Sequence, residues 1–482
     1  MNLQDRRILL VTNRAPATFA RRGGTLRVSR GAGGVVTALR HLVRWVRVTW
    51  VAVASGESDL LVAQRQREHG GLLGTSRLTL RLVPMRPALF ADYYGEFCSR
   101  VLWFVQHGLW RERIDPEGEG RLGELADRYA RANALVAEAV LREMHRPGHA
   151  PVAMVHDLHL YRVPELVGAR LRGTSLSHFV HVPWPELDVW REALPDALTR
   201  RLVGGLLACD VVGFQDPRSR DAFAACAEAL FPDASVSSEA ASRGGRRTLL
   251  RVRPASIDPA SLRPRPGWAE RLRADGRLLL VRVDRADPIK NVPAGFDAFA
   301  RLLERRPDLA GSVRFSARVI PSRITLPEYG REWERIRERV RDVNARFGEG
   351  TIALHERADR GRGLAELAAA DAVLVNSLAD GMNLVAKEAA IVNPRLALVL
   401  SRNAGAFAEL GHAALGIDPL DVDATADAIG RALELPEEER RERARLARAA
   451  VRRWTSRDWL RAQLGDLEEA APRLLPRALA AS

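Results

Sequence analysis

Three cysteines in 482 residues, Cys98, Cys209 and Cys226, are too few and too widely spaced for a disulfide framework or a zinc-ligand pattern. They read as small buried apolar residues. No apolar run approaches the roughly 18 residues that span a bilayer. The N-terminal stretch MNLQDRRILLVTNRAP has too short an apolar segment behind its arginines for a secretory core, so the expected location is cytoplasmic. Lysine is almost missing: Lys290 and Lys387 are two of 74 basic residues, leaving 72 arginines. A net charge of +14 would ordinarily raise nucleic acid as a partner. The arginines, however, interleave with glutamates in REWERIRERVRD and EEERRERARLARAA, as on solvated helix faces, and no aromatic-rich basic stripe accompanies them. Neither nucleic acid nor a membrane is expected as a partner. Where lysine is this rare, a survivor draws attention, because an ammonium is a compact point charge and a guanidinium is a planar fork. Chance retention on the surface is the plain alternative.

What is present is a globular composition, 46% hydrophobic and 28% charged, in a chain long enough for two or three domains. Short β-rich runs alternate with longer amphipathic stretches, the pattern of βα units in parallel sheets. Strands are expected at 8–12, 48–54, 152–156, 177–182, 211–215 and 248–253, then in a second series at 277–283, 313–320, 351–356, 372–377 and 396–401. The proline-dense segment PASIDPASLRPRPGWAERL, 254–272, lies between the two series and reads as a linker. The expected architecture is therefore α/β, with Rossmann-like domains at 1–259 and 260–482 and a terminal amphipathic helix, from about Thr455, packing back.

Ligands of open parallel sheets lie beyond the carboxyl ends of the strands. Candidate residues gather there in this chain: Asn13 and Arg14 after the first run, Asp157 and His159 after VAMVH, His181 near the end of SHFVHV and then Pro183, Trp184 and Pro185 after it. The second series adds Asp284, Arg285 and Lys290, then Arg323, then Asp380 and Gly381. So many together favour a ligand cleft over ordinary turn chemistry. Arg285 and Lys290, five apart in DRADPIKN, suit a diphosphate, the fork taking two oxygens and the ammonium acting as a point charge. In LADGMNLVAKEA a helix starting near Met382 or Asn383 would aim its positive end at the same diphosphate. Glu388, one turn on, could then hydrogen-bond a ribose diol, and Asp380 could accept sugar hydroxyls. Gly31, Gly33 and Gly34 in RGAGGVVTAL suit either backbone approach to a phosphate or sugar at a helix start or a plain loop. They are not placed as a dinucleotide fingerprint. Tyr94 and Trp103, nine apart, read as core or groove aromatics.

These segments together, TNR, GAGG, YYGEFCSRVLW, HDLHL, HVPWP, GFQ, VDRADPIKN, IPSR and DGMNLVAKE, resemble the trehalose-6-phosphate synthase family, retaining glycosyltransferases of the two-domain GT-B fold whose parallel sheets face across a cleft. The resemblance covers nearly the whole chain. It implies transfer of glucose from a nucleotide-glucose donor carrying UDP, GDP or ADP to the anomeric hydroxyl of glucose 6-phosphate, without metal or cofactor. On that footing Arg285 and Lys290 hold the donor diphosphate and stabilise the leaving nucleotide. Glu388 binds the ribose, Asp380 with the amides of Gly381, Met382 and Asn383 orients the donor glucose, and Gly34 lets the first loop close. His181 reaches the glucose near its 6-hydroxyl and Asp157 sits by the acceptor. Arg14, Tyr94, Trp103 and Arg323 grip the acceptor phosphate. The chain departs from the family at Leu158, Ala379, Asn291 and 355–372, positions that bear on the base and the acceptor. A pseudo-glycosyltransferase joining cyclitols, a glucosylglycerol-phosphate synthase and a non-catalytic sugar-phosphate sensor are the competing readings. Self-association as a homo-oligomer is left open.

Overall fold

The computed structural model describes residues 7–22, 25–30, 34–69, 73–75, 77–112, 120–146, 152–171 and 175–470. The chain divides into two compact units, Met1–Pro254 with Ser456–Ser482, and Ala255–Thr455. The expectation placed the division at 259/260 and kept the terminal helix with the second domain. Here the division falls at 254/255, and Ser456–Ala470 belongs to the first unit.

The first unit contains β1 (Arg7–Thr12), β2 (Ala17–Arg22), β3 (Thr25–Arg30), β4 (Arg47–Val53), β5 (Leu73–Thr75), β6 (Leu78–Val83), β7 (Val152–His156), β8 (Ser175–Phe179), β9 (Val211–Phe214), β10 (Ser235–Val236), β11 (Ala240–Arg243) and β12 (Arg246–Val252). Ten of them form one sheet in the order β10-β11-β12-β9-β8-β7-β1-β4-β6-β5, parallel from β12 to β6, while β2 and β3 pair as a separate antiparallel hairpin. β1 and β7 are buried almost throughout, as strands covered on both faces must be. The helix Leu122–Met144 buries Leu125, Tyr129, Ala132, Val136 and Val140, a spacing of three and four that marks its core face.

In the second unit β13 (Leu278–Arg285), β14 (Val313–Ile320), β15 (Ile352–His355), β16 (Ala372–Val375), β17 (Leu398–Ser401) and β18 (Leu415–Ile417) form an all-parallel sheet in the order β15-β14-β13-β16-β17-β18. The helix Val292–Arg305 lays Phe296 and Phe299 on Phe315 of β14, each edge to face at 5.3 Å. Strand order reverses between β1 and β7 in the first sheet and between β13 and β16 in the second. Those reversals open a crevice at the strand ends, and every polar cluster named above for β1, β7, β13 and β16 lies at one of them.

The strand reading differs from the structure in one way that matters for the site. β8 ends at Phe179, so His181 lies beyond the strand. The hairpin β2–β3 and the strands β5, β6, β10, β11 and β18 were not anticipated. Around Tyr94 the backbone is a π-helix, Ala91–Leu102.

Candidate active site

At the first switch point, Thr12 turns its hydroxyl onto the Arg14 carbonyl at 2.6 Å and accepts the Trp50 indole N–H at 2.7 Å, which fixes the bend after β1. Asn13 is buried and accepts from the Tyr93 hydroxyl at 3.0 Å, whereas Arg14 is exposed and its guanidinium donates to the Tyr94 hydroxyl. Tyr94 stacks between Phe90, at 5.2 Å and 11°, and His159, at 5.5 Å and 12°. The π-helix explains how Tyr94 and Trp103 can serve one surface. At a 3.6-residue period, positions nine apart fall on opposite faces, whereas with i to i+5 bonding nine residues are roughly two turns. Trp103 is mostly buried, packed on the His107 ring at 4.3 Å.

After β7, Asp157 adopts φ 78° and accepts from the Leu158 amide at 2.9 Å, with its second oxygen 3.4 Å from His159 Nδ1. Burial alone would raise its pKa, but His159, the nearby His181 and the Leu158 amide hold the carboxyl well below the usual range. The group is a fixed carboxylate. Three further histidines surround it. His181 Nε2 lies 3.0 Å from His156 Nδ1, and His178 Nε2 lies 3.2 Å from the Asp157 carbonyl. Burial lowers all three, His181 to about 4 and His178 to about 3, with Asp157 opposing the trend only in part. At neutral pH these are uncharged imidazoles; His156 and His178 are fully buried, whereas His181 is partly exposed and suited to exchanging hydrogen bonds with hydroxyl groups. Trp459, fully buried on the terminal helix, closes the cluster, its ring 6.0 Å from His181 and 5.1 Å from Phe179. Sequence reasoning did not find His156, His178 or Trp459 as part of this group; His156 ends a strand already recognised, but Trp459 is more than 270 residues away in the chain. Trp184 is a core residue between Trp190 and Phe223.

At the second switch point, β13 ends on Arg285 and the one-turn helix Pro288–Lys290 follows. Lys290 Nζ pairs with Asp380 and lies 3.9 Å from Asp284 Oδ1. Burial would lower its pKa, but Asp380 and Asp284 raise it, so the ammonium keeps its charge. Asn383, at φ 68°, caps the helix Leu384–Val392 through its side chain on the Ala386 amide at 3.2 Å, and its amide donates to Asp380 at 3.1 Å. Gly381 and Met382 complete the turn, which is laced to the segment after β17: the Gly405 amide donates to the Asp380 carbonyl at 2.9 Å and that of Ala406 to Met382 at 2.7 Å. Glu388 is on the second turn of that helix, paired with Arg360 at 2.7 Å; burial raises its pKa and Arg360 opposes this. Arg323, beyond β14 at φ 52°, donates to the Tyr329 hydroxyl at 3.0 Å. It lies in the second unit, with Arg285, whereas Arg14, Tyr94 and Trp103 lie in the first.

Asp157, Asn291, Arg323 and Asn383 are the non-glycine residues of positive φ among those described, and each follows a strand of a switch point or its neighbour. Such conformations cost on the order of 1–3 kcal/mol each and persist where surroundings dictate them, commonly at functional sites. Arg282 went unrecognised in the sequence. It is fully buried on β13, donates to Asp284 Oδ2 and the Lys290 carbonyl, both at 3.0 Å, and to the Val292 carbonyl at 3.3 Å, and so braces the Lys290 turn. Gly295 makes room for it, since a Cβ there would sit 2.6 Å from Nη1. Lys387 is buried too, its Nζ donating to Glu409 at 2.6 Å and the Ala255 carbonyl at 2.9 Å, a structural anchor at the start of the second unit. Gly34 opens the helix Gly34–Arg40; Gly31 and Gly33 lie outside the described residues. Among the described residues no group of three or more His, Cys, Asp and Glu is placed to hold a metal ion, and no helix is long and apolar enough to cross a membrane.

A family model, glycosyltransferase family 20, matches residues 6–469. The chain belongs to glycosyltransferase family 20. This family 20 chain is 32% identical over 496 residues to the trehalose-6-phosphate synthase of Mycolicibacterium vanbaalenii, with 96% of each chain covered. It is 29% identical over 477 residues to the validamine 7-phosphate valienyltransferase of Streptomyces hygroscopicus subsp. jinggangensis, covering 96% of this chain and 93% of that one. Among solved structures it matches an E. coli protein bound with UDP-2-fluoro glucose at TM-score 0.82 and 25% identity, covering 96% and 99% of the two chains. It also matches the Burkholderia xenovorans trehalose-phosphate synthase in complex with glucose-6-phosphate at TM-score 0.80 and 26% identity, covering 96% and 100%. The family 20 chain is thus a trehalose-phosphate synthase-like glycosyltransferase of GT-B fold.

Proposed function

We propose that the enzyme transfers glucose from a nucleotide-glucose donor to glucose 6-phosphate with retention, giving trehalose 6-phosphate. The observation that carries this reading is the second switch point, where Arg285 and Lys290 at the end of β13 adjoin the Asp380–Asn383 turn and the Glu388 helix that follow the neighbouring β16. A diphosphate on the two cations, sugar hydroxyls on Asp380 and ribose on Glu388 would use each polar group there. As the bond from the anomeric carbon to the diphosphate oxygen breaks, the developing negative charge falls where fixed cations act most strongly. The acceptor's anomeric oxygen bonds that carbon on the same face, and its proton passes to the departing phosphate oxygen. Asp157 and the neutral His181 position sugars in this scheme, the exposed Arg14 with Tyr94 binds the acceptor phosphate from the first unit, and Arg323 is the acceptor cation assigned to the second.

A second reading, transfer to a cyclitol phosphate, draws support from the identity to the valienyltransferase over 96% of the chain. Nucleoside diphosphate release from UDP-, GDP- and ADP-glucose, each offered glucose 6-phosphate or a cyclitol phosphate, separates the two. Turnover with glucose 6-phosphate is the outcome expected here; release with the cyclitol phosphate alone would replace the first reading by the second.

A further inference from the structure

Between the cation of the donor reading and that of the acceptor reading stands one carboxylate with no exposed surface, Asp287. It follows β13 by two residues and caps the Pro288–Lys290 turn through the Ile289 amide at 3.4 Å. Its Oδ2 lies 3.5 Å from Arg285 Nη2 and 3.6 Å from Arg323 Nη1. β13 and β14 are parallel neighbours whose last residues, Arg285 and Ile320, pair in register, so the two arginines approach Asp287 from adjacent strand ends. Arg323 reaches it from a left-handed backbone that arginine rarely adopts. Its guanidinium also lies over the Tyr329 ring, 5.3 Å from the centroid, which leaves it little rotational freedom.

We propose that Asp287 is a positioning residue that orients the Arg285 and Arg323 guanidinium groups together, so that the donor diphosphate site and the acceptor phosphate site are energetically coupled. The inference rests on the anion-site reading given above for Arg285. Two guanidinium groups a few ångströms apart repel, and each has several rotamers; a shared buried carboxylate relieves the repulsion and selects one arrangement of both forks. Coulomb attraction and positioning make opposite forecasts for the loss of this charge. If Asp287 merely neutralised the pocket, its removal would tighten anion binding. If it orients the forks, its removal weakens binding although the pocket becomes more positive.

The test is calorimetric binding of inorganic pyrophosphate, with steady-state kinetics beside it. Asp287→Asn is expected to weaken pyrophosphate at least fivefold and to lower kcat at least tenfold with both substrates saturating, and Asp287→Glu to recover part of each. Unchanged or tighter pyrophosphate binding by Asp287→Asn overturns the proposal. Should Asp287→Asn fail to fold, the cycle of Arg285→Ala, Arg323→Ala and the double variant in the native background decides. Independent charges give additive losses, whereas groups that share a partner do not; losses that multiply within twofold overturn the proposal, and a larger departure supports it. Arg285→Ala by itself tests the underlying anion site: unaltered pyrophosphate affinity there removes that reading, whereas a loss there with additivity in the cycle removes only the role of Asp287.

Discussion

At the scale of single residues, charge placement decides the chemistry. Lys290 is held charged by Asp380 and Asp284 against the cost of burial, and Arg285 ends β13, which the Lys290 turn follows. Replacing either cation by alanine is expected to lower turnover more than tenfold, because a fixed charge at a developing anion contributes roughly 2 kcal/mol or more. Single-turnover rates that stay within tenfold of wild type would remove the leaving-group role. Arg14 is exposed and touches the Tyr94 hydroxyl, a placement suited to gripping a phosphate without sharing in bond breaking. Arg14→Ala should raise KM for glucose 6-phosphate at least fivefold while leaving KM for the donor unchanged. Equal damage to both constants would count against its assignment to the acceptor.

At the scale of elements, short-range patterns in the sequence carried much of the fold. VAMVH coincides with β7 because buried parallel strands read as continuous apolar runs, and VRFSARVI coincides with β14 through the alternation of Val313, Phe315 and Ala317 with Arg314, Ser316 and Arg318. The hairpin β2–β3 was hidden, TLRVSR alternating but with Leu26 and Val28 as its sole apolar residues, and the π-helix at Tyr94 has no period that a helix template detects. Asp287 and Trp459 were illegible for another reason: each gains its role from a partner brought close by the folded chain, Arg323 and His181 respectively, whereas the partners of Arg282 lie within ten residues in a turn whose geometry the sequence does not display. The turn at Gly381 depends on such a partner, since a Cβ on Gly405 would collide with the Gly381 carbonyl, which is backbone and cannot move aside cheaply. Gly405→Ala should therefore displace the Asp380 turn and cut kcat/KM for the donor at least tenfold with little change in the acceptor's KM; wild-type kinetics would show that the turn does not set the donor site. The histidine cluster has a sign that can be worked out. His181 has a folded value of about 4 against an unfolded value near 6.5, so between those limits the unfolded chain binds more protons and stability falls as pH falls. The loss is on the order of 3 kcal/mol for His181 alone. Thermal unfolding followed from pH 7 to pH 4 should show the decline, and His181→Gln should flatten it; an unchanged slope in the variant would place the titration elsewhere.

At the scale of the whole molecule, the parallel part of each sheet reverses strand order once; neutral imidazoles and a fixed carboxylate lie at the reversal in the first unit, cations and a capped helix at the reversal in the second. Fold and family leave the acceptor to be decided by side chains, since proteins named for trehalose phosphate and for validamine 7-phosphate both align over 96% of the chain. The most direct measurement is product analysis by NMR after incubation of the enzyme with UDP-, GDP- or ADP-glucose and glucose 6-phosphate. The expected result is a 1,1-linked disaccharide phosphate with the donor's anomeric configuration retained, formed with one equivalent of nucleoside diphosphate. Inversion at that carbon, or no disaccharide phosphate from any of the three donors, would contradict it.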